Sequence, residues 1–372
     1  MIEVNNMQIE KAAFAFDTVG TPFSCEEFGH GHINHTLFIK TDAGTEYILQ
    51  RINKYVFKQP EALMENVMGV TKYMREYVIA NGGDVDRECL YVIPAKDGKP
   101  YYIDGENRFW RCYNFITDAH SCQSVENAEV FFNAAKAFGN FQRILADYPI
   151  DSLTETIPNF HNTVSRFADF KKAVADNLSG RASEAEAEIE FVLAREKDCS
   201  VLIDMLNAGE LPLRVTHNDT KLNNVMFDNE TNEGICVVDL DTVMPGLSLY
   251  DFGDSIRFGA NTAAEDEKDL SLVNLSFQLL FNGSFLLCKL FCVEECTGSI
   301  REEGVTGIGV SACSHIGEDL NRSKSEKTFV KTKTVSGKAD CHTIIGKLVL
   351  KRHLKDRGRA VLHYVAYFFV SG

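Results

Sequence analysis

An α+β chain of two lobes, β-rich at the N-terminal end and mainly helical beyond it, is the fold class the sequence predicts. Three observations carry that expectation. The first 115 residues read as short runs of β-branched and aromatic residues broken by turn chemistry, with one long helical pattern. Beyond residue 116 the apolar spacing becomes helical. The length, 372 residues with 45% hydrophobic, suffices for two cores rather than one.

A strand beginning near Phe23 leads into the glycine-bearing stretch Gly29-His30-Gly31-His32-Ile33-Asn34, and Leu37-Phe38-Ile39 leaves it. Thr41-Asp42-Ala43-Gly44-Thr45 supplies a turn before Tyr47 to Ile52, which closes an antiparallel meander. Pro60 opens a helix over Glu61 to Tyr77, with Leu63, Val67, Val70 and Met74 at helical spacing. Strands follow at Leu90 to Ile93 and Tyr101 to Ile103, and the apolar run Phe109 to Ile116 leaves the small lobe. Helices are then expected over Ala128 to Ala146 and Ala182 to Leu206. The resulting division is an N-terminal lobe over 1–115, a C-terminal lobe over 116–275 and a tail over 276–372.

A net charge of −15 without a long basic run argues against a nucleic-acid backbone or an anionic membrane as partner. Met1 to Lys11 lacks the basic and apolar regions of a secretory signal, and the most apolar stretch, Leu279 to Val293, is short and interrupted for a membrane span. A cytoplasmic protein is expected. Eleven cysteines with no CxxC pair suggest reduced thiols. Cys288, Cys292 and Cys296 share a helical face, as metal ligands or as buried free thiols.

The chemistry concentrates in Leu213-Arg214-Val215-Thr216-His217-Asn218-Asp219-Thr220-Lys221-Leu222-Asn223-Asn224-Val225, followed by Val237-Val238-Asp239-Leu240-Asp241. A bare HxD loop can be nothing more than an Asx turn. Asp219 with Asn224 five residues later and a strand-borne carboxylate at Asp239 is a different matter. Phosphoryl transfer needs one carboxylate to take the proton of the attacking hydroxyl, and an amide and a second carboxylate to hold Mg²⁺ on nucleotide phosphates.

His217-x-Asp219-x4-Asn224 with Asp239-x-Asp241 resembles the signature of the aminoglycoside phosphotransferase/choline kinase superfamily, whose fold is protein-kinase-like. Thr156 to His161 (TIPNFH), Leu213 to Val225, Val238 to Gly246 (VDLDTVMPG) and Tyr250 to Ala260 (YDFGDSIRFGA) further resemble the N-acetylhexosamine 1-kinases, over roughly Phe14 to Ser276. The resemblance implies ATP and Mg²⁺ as cofactors and a small sugar, GlcNAc or GalNAc, as acceptor, with the anomeric hydroxyl phosphorylated. It makes Asp219 the catalytic base, Asn224 and Asp239 the metal ligands, His217 an orienter of the loop, and Asp241, Asp251 and Asp254 braces. Asp254 with Arg257 also reads as a plain ion pair. Asp219, Thr220 and His32 are the expected acceptor contacts. Gly29 and Gly31 would cover the phosphates, and Phe115 and Ile116 would meet the adenine at the hinge. Where such kinases place a lysine on the third strand this chain has Gln50-Arg51, of which strand alternation lets only one face the cleft. Glu61 or Glu65 would be its ion-pair partner. Other acceptors within the superfamily (an aminoglycoside, choline or homoserine) and an inactive kinase-like product remain open, as does the oligomeric state.

The resemblance ends near Ser276. From there the chain carries no Pro or Met, 10 of the 26 Gly, and a net charge of +5, whereas the first 275 residues carry −20. The long helical patterns ECGxRFLxDYL and HNLxRxRTQ, by which the family completes its acceptor pocket, are missing. The expectation is a reading-frame change in the coding sequence; divergence and a replaced module are the alternatives.

Overall fold

The computed structural model describes residues 7–29, 33–125, 127–261, 272 and 276. Gly31, His32, the three tail cysteines and the changed tail lie outside the described residues. Contacts divide the chain into two units, each assembled from separated segments. The first takes the chain up to Ser121, with Ile144–Pro158 and Val225–Pro245; the second takes Cys122–Arg143, Asn159–Asn224 and the chain from Gly246 on. The α+β class expected from the sequence is what these units contain.

In the first unit a short helix, α1 (Met7–Ala13), precedes the strands β1 (Pro22–Glu27), β2 (His35–Thr41) and β3 (Glu46–Arg51). The long helix α2 (Pro60–Ala80) follows, then β4 (Val92–Ile93), β5 (Tyr102–Ile103) and β6 (Phe109–Asn114). The sheet is antiparallel throughout, in the order β1-β2-β3-β6-β4 with β5 on β6. Its register aligns Leu37 with Leu49, and Leu49 with Cys112. These pack with Ile39, Trp110, Ile9, Ala12, Ala13 and Phe16 into one core against α1. Burying each Leu or Ile of that layer contributes about 1.5–3 kcal/mol. All six residues of β6 are buried, so both of its faces are covered. Trp110 and Cys112 enter the α1 core, and alternation sends Arg111 and Tyr113 to the opposite face.

Pro60 starts α2 as expected, because its fixed φ suits the first turn and its missing N–H would have no helical partner there. Buried Asn66 then ties this helix to both later segments of the unit. Its Nδ2 donates to Thr154 O (2.8 Å) and Val243 O (3.0 Å), and its Oδ1 accepts from Thr154 N (2.9 Å). A second small sheet joins β7 (Ala119–His120), β9 (Val225–Asp228) and β10 (Gly234–Val237). Arg87 reaches Asp228 at 2.7 Å and the carbonyls of Thr117 and Asp118, fastening that sheet's edge.

The second unit holds α3 (Ala128–Ile144), α4 (Thr163–Asp176), α5 (Glu186–Leu193), α6 (Val201–Asn207), the strand β8 (Arg214–Thr216) and α7 (Ser248–Gly259). Asn162 caps α4 by accepting from Ser165 N at 3.1 Å. Gly259 is required where α7 meets α3, since a Cβ there would lie 1.9 Å from the Phe131 ring. The stretch read as helical over Ala182 to Leu206 comprises a 3₁₀ turn (Ala182–Ala185), α5, a second 3₁₀ turn (Glu196–Asp198) and α6 rather than one continuous helix. The reason lies in burial. No residue of α5 is buried and only Leu202 of α6 is, so no continuous packed face holds one long helix against its polar midsection. At the break Cys199 O accepts from the Thr163 hydroxyl at 2.8 Å.

No described helix is long and apolar enough to cross a membrane.

Candidate active site

The second unit builds the loop that carries Asp219. It leaves β8 at Thr216, and the 3₁₀ turn Leu222–Asn224 ends it. His217 is fully buried, its ring edge-on to Phe138 (5.4 Å) and Phe141 (5.8 Å) of α3. Asn218 adopts a left-handed conformation, φ 64°, which costs a non-glycine residue about 1 kcal/mol or more. What compensates is Asp251 on α7. Its carboxylate accepts from the backbone N–H of His217 (2.9 Å) and of Asn218 (2.7 Å), and from the Gln142 amide of α3. Burial pushes the Asp251 carboxyl up to about 6, and these donors with the nearby His217 oppose the shift. His161, the last residue of the TIPNFH segment, closes the far side with its Nε2 3.1 Å from Asn218 O. Burial lowers its pKa to about 4, so the ring is neutral and donates to that carbonyl.

Asp254 repeats the device one turn along α7. It accepts from Thr220 N at 2.7 Å and pairs with Arg257 Nε at 2.8 Å. The Thr220 hydroxyl is buried and donates to Asp251 O at 2.7 Å, so it fastens the loop to α7. Asp219 itself is only half-buried. Its backbone N–H donates to His217 Nδ1 (3.3 Å). Asn224 Nδ2 donates to Asp219 O (2.8 Å) and to its carboxylate Oδ2 (3.2 Å), while Lys221 Nζ lies 3.3 Å from Oδ1. Desolvation and repulsion from Asp254 raise the Asp219 pKa, with Lys221 and His217 pulling the other way. A carboxylate so placed has its proton affinity enhanced while it remains in reach of solvent, which suits a proton acceptor.

The first unit builds the turn that carries Asp239. This residue, exposed and left-handed at φ 60°, precedes the 3₁₀ turn Leu240–Thr242. Asp241 behind it is 4% exposed and both its oxygens are occupied. Oδ1 pairs with Arg111 Nη1, and Oδ2 accepts from Asn34 Nδ2 at 2.6 Å. Arg111 is also bound by Gln50 Oε1, which accepts from Nε (3.0 Å) and Nη2 (2.8 Å). Burial disfavours the Arg111 charge, but the adjacent Asp241 outweighs it and the pKa is raised.

Gln50 and Arg51 are thereby separated. Gln50 pairs in register with Arg111 and shares its face, with its Nε2 donating to Thr36 Oγ1 at 2.9 Å. Arg51 turns to the other face, its guanidinium 5.9 Å from the Trp110 ring, as strand alternation requires. Gln50 and Arg51 therefore lie on opposite faces of β3, so only one of them can face the cleft. Glu61 and Glu65 form no ion pair among the described residues; the buried pair near Gln50 is Arg111–Asp241. Phe115, at the end of β6, joins Phe38 (4.8 Å) and Phe28 (5.8 Å) in an aromatic cluster beside Gly29, and Ile116 is buried. Gly29 has φ +74°, and no atom of the described residues lies within 4 Å of where a Cβ would stand, an open backbone position.

The structure thus brings His217, Asp219, Thr220 and Asn224 together in one unit, and Gly29, Gln50, Phe115, Ile116, Asp239 and Asp241 in the other. Sequence reasoning missed Arg111, Gln142 and the role of His161. Arg111 had a signal, a lone charge inside the apolar strand Phe109-Trp110-Arg111-Cys112-Tyr113, since a charge there is buried and must be paired. Gln142 had none.

As for a metal, the described residues hold no group of three or more His, Cys, Asp or Glu side chains. Asp239 in the one unit carries a carboxylate and Asn224 in the other an amide oxygen, each a hard donor of the kind Mg²⁺ takes.

Residues 117–271 match the model of the phosphotransferase enzyme family, APH. That span includes the Asp219 loop and the Asp239 turn, and the described units are α+β. Solved structures similar to this chain include a microcompartment-associated aminopropanol kinase, at 15% identity and a TM-score of 0.46, covering 85% of this chain and 97% of that one. An amicoumacin kinase, solved with AMP-PNP and Ca²⁺, is similar at 11% identity and a TM-score of 0.46, covering 85% of this chain and 93% of that one. A spectinomycin phosphotransferase is similar at 12% identity and a TM-score of 0.38, covering 84% of each chain.

Proposed function

We propose that this chain is an ATP-dependent sugar 1-kinase of the cytoplasm that transfers the γ-phosphoryl group to the anomeric hydroxyl of an N-acetylhexosamine. The observation that carries the reading is the Asp219 loop: a half-buried carboxylate of raised proton affinity, held by two buried aspartates of α7, within a segment matching the phosphotransferase family. The choice of N-acetylhexosamine is supported by the TIPNFH, VDLDTVMPG and YDFGDSIRFGA motifs.

In this reading Asp219 accepts the proton of the anomeric hydroxyl as its oxygen attacks the γ-phosphorus. The bond from that phosphorus to the bridging oxygen of ADP breaks, and the products are ADP and the sugar 1-phosphate. Lys221, beside the carboxylate, holds it in the ionised form that takes the proton. Asn224 and Asp239 would hold Mg²⁺, whose chemistry is to neutralise charge on the phosphates. Gln50 and the open backbone at Gly29 would face the phosphates, and the Phe28, Phe38 and Phe115 cluster would border the adenine.

The test is ADP release by the purified full chain over a panel of neutral N-acetylated sugars, aminoglycosides and choline. Release that depends on GlcNAc or GalNAc is expected. Release with aminoglycosides alone would move the acceptor to another class of the same chemistry, and release with none would remove the kinase reading.

A further inference from the structure

The Arg111 side chain is 1% exposed, a full charge inside a strand whose neighbours Trp110 and Cys112 are core. An ion pair buried to this depth rarely stabilises more than a well-packed apolar replacement would, so its retention asks for another role. Its contacts say which. Arg111 holds Asp241 through Nη1 and is itself aimed by Gln50, which bonds both Nε and Nη2 and is fixed in turn by Thr36. Asn34, where the glycine-bearing segment ends, takes the other Asp241 oxygen, and its own Oδ1 accepts from Asn53 N at 3.0 Å. With both oxygens engaged, Asp241 is occupied as a strut. Asp239, two residues earlier in the same turn, is an exposed residue in a left-handed conformation that the backbone does not favour by itself.

We infer that Arg111 is a positioning residue for the metal-binding turn, fixing through Asp241 the backbone that presents Asp239. The inference rests on the phosphotransfer reading and deepens it. It also accounts for the third strand. There the Gln50 amide aims the buried cation of the neighbouring strand at the Asp239–Asp241 turn.

ADP binding by the full chain, measured by titration calorimetry with Mg²⁺ and again in EDTA, separates positioning from direct contact. Arg111→Met is expected to weaken Mg²⁺-dependent binding about tenfold or more, the range for loss of a group that orients a metal ligand, and to leave binding in EDTA unchanged. Arg111→Lys keeps the charge but grips one partner at a time and falls between. The double variant Arg111→Met/Asp241→Asn is expected to bind as Arg111→Met does, because both act on one strut. Asn34→Ala keeps the buried charge pair and decides the matter if Arg111→Met does not fold; it too should lose Mg²⁺-dependent binding selectively. Equal loss with Mg²⁺ and in EDTA would put Arg111 on the nucleotide itself and overturn the inference, as would unchanged binding in Arg111→Met and Asn34→Ala. A wild-type chain that binds nucleotide in neither condition would overturn the phosphotransferase reading together with it.

Discussion

The loop carrying Asp219 and the turn carrying Asp239 meet the same requirement in opposite ways. Each sets a carboxylate on backbone that bends through a left-handed non-glycine residue, Asn218 at φ 64° and Asp239 itself at φ 60°. In the Asp219 loop the brace is made of backbone N–H groups donated to two buried aspartates of one helix, Asp251 and Asp254. In the Asp239 turn it is made of side chains, a buried guanidinium and an amide closing on Asp241. A helix that presents carboxylates one turn apart can catch consecutive peptide N–H groups. A sheet offers one side chain per residue to each face, so a cation there must supply several donors by itself, and arginine does.

The largest effect that would sharpen this contrast is at the loop's half-buried carboxylate, Asp219. Asp219→Asn should lower turnover by several powers of ten while far-UV circular dichroism stays native, since the change keeps shape and removes the proton acceptor. Turnover within tenfold of wild type would take Asp219 out of the chemistry. Next is Arg111→Met, which strands the Asp241 carboxylate and should cost about 3–5 kcal/mol in denaturant unfolding. The double variant with Asp241→Asn should regain much of that, and no regain would mean that the pair is not the brace. Asp251→Ala leaves two buried peptide N–H groups without an acceptor, at about 1–3 kcal/mol each. Its loss of stability should be accompanied by a fall in turnover, because Asn218 then relaxes from its left-handed conformation.

A smaller effect distinguishes the two braces by pH. Asp251 rises from 3.8 to about 6 on folding. Because the folded value lies above the unfolded one, its contribution is present below about pH 4 and is lost as pH rises through 6, on the order of 3 kcal/mol for two units. Unfolding followed from pH 4 to 7 should show that slope in the wild type and a flatter one in Asp251→Asn. An unchanged slope would assign it to other groups. The smallest change is Asn218→Gly, which removes the left-handed penalty and the weak Asn218 Nδ2 to Thr216 O bond (3.3 Å) and should move stability by about 1 kcal/mol or less.

Much of the fold was legible because its signals are local. Pro60 announces the start of α2, alternation through Leu37, Ile39, Tyr47 and Leu49 announces the meander, and the turn Thr41 to Thr45 joins them. Over Ala182 to Leu206 the helical pattern is borne out by α5 and α6, but where it breaks was not legible, because composition does not show whether anything packs on the face it offers. At the site, Asp219, Asn224 and Asp239 stood out by spacing alone. Arg111 sat in plain view as a charge in an apolar strand, but its partner lies 130 positions away.

The sequence by itself determined the order of elements, the charge asymmetry between the first 275 residues and the rest, and the carboxylates and amides available for phosphoryl transfer. Those follow from residue type and near-neighbour spacing. Only the tertiary structure decided which groups brace them: Asp251 for His217 and Asn218, Gln142 for Asp251, His161 for the Asn218 carbonyl, and Arg111 with Asn34 for Asp241. Each pairing joins residues at least 33 positions apart, and a buried polar group takes whichever partner the packing brings to it.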